Sequence, residues 1–124
     1  MRRVVFAFLI LLSLSACTKQ DTELELQLLM NEIDSMAAQT TCTDADQWRF
    51  TPIGSKGCGG PLAYKAYSSQ IDTVKFLKIV KRYTDTQSAY TEGMPSDCLF
   101  VRMPAAVRCV DGKPEFVYSS ALDN

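Results

Sequence analysis

Five cysteines and no histidine set the limits of what this chain can do chemically. The thiols stand at Cys17, Cys42, Cys58, Cys98 and Cys109. Without an imidazole the commonest general base is missing, and with it the Ser-His-Asp and Cys-His arrangements and the histidine-based zinc sites. No two cysteines have Cys-x-x-Cys spacing, and Cys98 and Cys109 are eleven positions apart, so neither dithiol redox catalysis nor a thiolate metal site is expected. A carboxylate pair for glycosidase-type chemistry would have to be picked arbitrarily from fourteen acidic residues. The reading is therefore of a non-enzyme, with no catalytic residue, metal ligand or cofactor assigned.

The second feature with chemical content is the stretch over residues 48–67, which holds the only tryptophan, four of the six glycines, two of the five prolines and Cys58. Consecutive N–H groups around Gly57, Gly59 and Gly60, with Lys56 beside them, invite comparison with a phosphate cradle. The Gly-Lys-Ser/Thr ending of a P-loop is absent, which leaves a disulfide-held turn flanked by Trp48, Phe50, Tyr64 and Tyr67. We take Trp48, Lys56, Gly59, Gly60 and Tyr64 as the candidate contact surface.

The chain begins with a targeting pattern. Arg2 and Arg3 form a positive start, and the apolar run from Val4 to Leu12 is shorter than a bilayer-spanning helix requires. The run closes on Leu14-Ser15-Ala16-Cys17, which resembles the lipobox of bacterial lipoproteins. The resemblance implies cleavage before Cys17, acylation of its thiol and an anchor in which each buried CH₂ contributes about 0.8 kcal/mol. By that family's sorting habit, Thr18 after the cysteine implies the outer membrane. The alternative is an ordinary signal peptide cut near Ala16, with Cys17 a plain thiol. The organisation expected is thus residues 1–16 as signal, 17–21 as a lipidated tether and 22–124 as one domain.

Removal of the signal leaves 108 residues, in which 14 acidic side chains face 11 basic ones, for a formal charge of −3. That is not the footprint of a nucleic-acid binder. Export places Cys42, Cys58, Cys98 and Cys109 where disulfides persist, and their even number fits two bridges. Four cysteines allow three pairings, among which sequence does not choose. The expectation adopted is Cys42–Cys58 with Cys98–Cys109, since each would lock one turn-rich segment, contributing about 2–3 kcal/mol apiece.

Two segments have helical periodicity. Thr22 with Glu25 has capping-box form and opens a helix whose apolar positions are Leu26, Leu29, Met30, Ile33, Met36 and Ala37, ending near Ala38. Ser69 with Asp72 repeats the signature before Phe76, Ile79, Val80, Tyr83, Gln87 and Tyr90, and Gly93 and Pro95 mark the stop. The first helix is acidic outside its apolar face; the second carries Lys75, Lys78 and Arg82, with Lys81 set toward Asp85. This points to an antiparallel pair with complementary flanks, although solvated faces are the simpler account. The basic row is also a weaker candidate for anionic headgroups. Between the helices, Trp48-Arg49-Phe50 is a short extended piece stopped by Pro52 and Gly54, and residues 62–67 are a second extended piece or an irregular wrap. After Ser96 the chain turns β-like: an apolar run Leu99-Phe100-Val101, then a hairpin through Asp111-Gly112, with Pro114 confined to an edge. The fold class is α+β, two helices on a short antiparallel sheet or hairpin, stapled by two disulfides.

From Trp48 to Pro114 the pattern of Trp, Gly-x-Lys-x-Cys-Gly-Gly-Pro-x-x-Tyr-x-x-Tyr, Ser-Asp-Cys and Cys-x-Asp-Gly-x-Pro is similar to a group of small uncharacterised bacterial lipoproteins. The resemblance implies export and small size, and no activity. Two functions follow as expectations: a membrane-anchored binding or interaction module with an envelope or extracellular protein partner, or an inhibitor of an extracytoplasmic hydrolase of lysozyme or protease type. An inhibitor should project residues 54–60 as a convex tip; a scaffold should bury them.

Overall fold

The computed structural model describes residues 2–120, with side chains from residue 18 onward. The chain is α+β: helix α1 (Arg2–Ala37), a 3-10 turn (Ala45–Gln47), strands β1 (Trp48–Ile53) and β2 (Ala63–Ser68), helix α2 (Thr73–Tyr90), and strands β3 (Ala106–Val110) and β4 (Lys113–Val117). The strands form two separate antiparallel ribbons, β1–β2 and β3–β4.

The apolar periodicity of the helices becomes the core. Leu29, Ile33 and Met36 of α1 meet Phe76, Ile79 and Val80 of α2, with Ile53 and Ile71 closing the cluster and Met30, Tyr67 and Tyr83 packed around it. Burying each such side chain contributes roughly 1.5–3 kcal/mol relative to leaving it in water. The helices run antiparallel, as three contacts show in descending order along α2: the Tyr90 hydroxyl donates to Glu23, Arg82 Nη2 to Glu25 at 2.7 Å, and Lys75 Nζ pairs with Glu32 at 3.0 Å. These pairs are exposed, so they set register more than they add stability. Glu23 holds the Tyr90 phenol above its ordinary pKa, chiefly by accepting its hydrogen bond.

Several expectations are corrected at element ends. Thr22 does not cap α1; it lies inside the helix, and its Oγ1 donates back to the Thr18 carbonyl at 3.0 Å, the bond of a helix interior. The helix expected to open at Thr22 already includes residues 18–21. Ser69 does not cap α2. Its N–H is engaged by the Gln47 carbonyl at 2.7 Å, and the cap is Asp72, whose carboxylate accepts from Lys75 N–H at 3.0 Å. β1 runs through Pro52 to Ile53, because a strand in a two-stranded ribbon always has an open edge that tolerates a missing N–H. The Leu99-Phe100-Val101 run is not a strand and pairs with nothing in a ladder.

The disulfide pairing expected from local proximity is also overturned. The bridges are Cys42–Cys109 and Cys58–Cys98, not Cys42–Cys58 and Cys98–Cys109. The reason is topological. The β3–β4 ribbon turns at Asp111 and Gly112, both at positive φ as the two-residue turn requires, and this turn returns the chain to the end of α1. There Cys42 N–H donates to the Gly112 carbonyl at 2.8 Å, and the thiols of Cys42 and Cys109 meet beside it.

Candidate functional site

The residues proposed from sequence as one contact surface part company in the structure. Trp48 is 4% exposed and opposes the fully buried Ser68 across the β1–β2 ribbon, so it is a packing residue and offers no surface. Tyr64 is half-buried, its ring edge-on to Phe50 at 6.0 Å, and Phe50 in turn meets Phe116 of the second ribbon at 6.2 Å. These aromatic contacts join the two ribbons. Gly59 and Gly60 do lie at an exposed tip, with φ of 94° and 85° and no atoms within 4 Å of where a Cβ would stand. Their conformation, rather than crowding, is what favours glycine there.

Lys56 belongs neither to the core nor to free surface. Its side chain is only 8% exposed, and Nζ donates to Asp97 Oδ1 at 2.5 Å and to the Leu99 carbonyl at 2.7 Å. Asp97 also accepts from Leu99 N–H at 3.2 Å, and the Lys56 hydrogen bond, followed by that backbone bond, holds its carboxyl below the ordinary carboxylate range. Two residues from Lys56, Cys58 is bridged to Cys98. The glycine loop between β1 and β2 and the segment after α2 are therefore tied at two points into one double loop.

The base of the double loop is fixed from α2. Gln87, buried in the helix face, accepts from Ser55 N–H through Oε1 at 2.8 Å and donates through Nε2 to the Ser55 carbonyl at 3.2 Å and to Thr91 Oγ1 at 3.2 Å. Thr84 Oγ1 accepts from Gly54 N–H at 2.9 Å. A side-chain amide thus replaces the ladder partner that residue 55 would have had in a longer ribbon. The sequence marks Gln87 only as a polar residue on an apolar stripe.

No family model matches the chain, and neither a curated protein nor a solved structure is similar to it. The function must be argued from the site.

What the double loop presents is apolar. Leu99 is 74% exposed, Phe100 87% and Met103 63%, with Met94 and Leu62 also outward-facing. Arg102 lies 5.9 Å over the ring of Tyr118. The apolar run expected in a β-like region is instead an irregular segment that places Leu99 and Phe100 in solvent and half-buries Val101. The neighbouring recess, about 600 Å³ and lined by Ser55, Lys56, Asp85, Ser88 and Glu92, is open. Its lysine and Asp85 are already spoken for, by Asp97 and Lys81. Among the described residues no group of three or more His, Cys, Asp or Glu converges as a metal site would require. Lys75 and Arg82 of the basic row face Glu32 and Glu25, which weakens that row as an anion-binding surface. The Cys17 side chain lies outside the described residues.

Proposed function

We propose that the protein is an envelope lipoprotein, lipid-anchored through Cys17 and exported, whose domain works as a non-catalytic binding module with the double loop as its contact surface. The observation that carries the reading is the exposed Leu99, Phe100 and Met103 on a segment held by Cys58–Cys98 and Lys56–Asp97. An apolar surface fixed before contact loses little conformational entropy on binding. The lipobox resemblance supports the anchor. Metabolic labelling with a fatty acid, followed by detergent partition of wild type against Cys17→Ser, tests it: label and detergent-phase protein are expected only for wild type. An unlabelled wild type in the aqueous phase would defeat the address.

The inhibitor reading has one observation in its favour, the exposure of Gly57 to Gly60 at a bridged tip. Gly54 at the base of that loop is buried, so the projection is partial. Titration of the purified protein against lysozyme and serine proteases decides it, with stoichiometric inhibition lost in Gly59→Val as the supporting result.

A further inference from the structure

The direction of α1 bears on what the double loop touches. Glu23 accepts from Tyr90 at the last turn of α2, and Cys17 lies six residues further along α1 toward its start, about 9 Å of helix. The double loop is at this same end of the fold: Thr84 and Gln87 hold its base, and the segment with Leu99 and Phe100 follows directly from the end of α2. The point at which the chain would enter a bilayer and Phe100, the most exposed large apolar side chain among the described residues, thus share one end, with Leu99 and Met103 beside it.

We propose that residues 94–103 form a second membrane contact, with Leu99 and Phe100 inserted into the interfacial region of the bilayer in which Cys17 is anchored. The inference rests on the lipid-anchor reading above. A single point of attachment leaves a domain free to swing, whereas an anchor plus an apolar loop fixes its orientation; two weak membrane signals on one body reinforce each other through effective concentration. The irregular backbone here suits interfacial depth and no deeper, since its unpaired N–H and C=O groups need water or headgroups. Charge is not the attraction. Lys56 is paired with Asp97, and the exposed Lys19 and Arg102 are offset by Asp21, Glu23 and Glu92 at this end, so anionic lipid has no advantage over zwitterionic lipid.

The test uses the full lipidated protein in phosphatidylcholine vesicles with or without brominated acyl chains, after flotation. Phe100→Trp places an indole at the loop, and Val74→Trp places one at an exposed position near the other end of α2, about 24 Å along the helix from Tyr90. The native Trp48 is buried and supplies the constant background. Brominated chains are expected to quench and blue-shift the emission of Phe100→Trp and to leave Val74→Trp unchanged, with the same result when anionic lipid is added. Protein that floats but shows equal quenching at the two positions, or none at either, overturns the inference while the anchor stands. Protein that does not float overturns the anchor and the inference together. An indole at position 100 that is shielded from lipid and cross-links to an envelope protein assigns the loop to a protein partner instead.

Discussion

The two bridged ends of the molecule use the same bond for different purposes. At the end where α1 terminates, Cys42 is buried, its N–H is bonded to the Gly112 carbonyl, and Cys109 sits in a paired strand, so the disulfide joins elements that already have ladders and packing. At the end where α2 terminates, Cys58 and Cys98 are both exposed and both irregular, and the disulfide joins loops that have little else. One bridge closes a fold; the other shapes a surface. The chain-entropy model cannot tell them apart, since separations of 67 and 40 residues both give roughly 4 kcal/mol. Whatever separates them in measurement comes from packing.

The largest expected effect tests that point. Replacing Cys42 and Cys109 together with alanine should lower the free energy of unfolding by about 4 kcal/mol plus a cavity contribution of order 1 kcal/mol at the buried sulfur. The Cys58 and Cys98 pair should cost the entropic part alone. Denaturant titration of both variants compares them, and a greater loss from the exposed bridge would reverse the assignment. Limited reduction followed by alkylation should label Cys58 and Cys98 first.

A smaller effect is expected at Gln87. Alanine there strands the Ser55 N–H and carbonyl beneath the loop, at a cost of about 1–3 kcal/mol, with amide exchange accelerated at Ser55 while the helix and the Cys42 end keep their protection. Acid should act on the same end. The folded-state pKa of Asp97 is depressed, so its contribution is complete above the ordinary carboxylate value of roughly 3.9 and is lost as pH falls through the lower folded value. Asp97→Asn should abolish that pH dependence in the amide resonances of residues 56 and 99 without moving those near Cys42. The smallest effect on stability belongs to Leu99→Ser with Phe100→Ser, expected within about 0.5 kcal/mol of wild type, because side chains so exposed contribute to contact and not to folding. A substantial fall in melting temperature would return these residues to the core and remove the distinction between the two ends.

The same contrast governs what could be read in advance. The apolar faces of both helices and the hairpin at Asp111-Gly112 were legible because they follow local rules of period and turn chemistry, whereas the complementary helix flanks were only suggested by charge, with solvated faces the simpler account. The capping boxes misled because a cap depends on where the helix begins: Thr22 is preceded by more helix, and Ser69 is held by Gln47. The pairing of the cysteines is a property of topology. Nothing near Cys42 in sequence announces that a turn seventy residues later comes back to it. Trp48 was misplaced for a related reason, since an aromatic residue beside glycines shows its hydrophobicity but not whether the fold covers it.

One further consequence follows from the antiparallel packing of α1 on α2. Leu29, Ile33 and Met36 are spread along α1 beyond the point where Glu23 meets Tyr90, so a pull delivered through the start of α1 runs parallel to the helix interface. Such a load shears the interface, and the whole stripe of side chains resists at once instead of parting one by one. The far end of α1 passes the strain to the β3–β4 ribbon across Cys42–Cys109, a covalent stop. Pulled from that end, the domain would resist as one body.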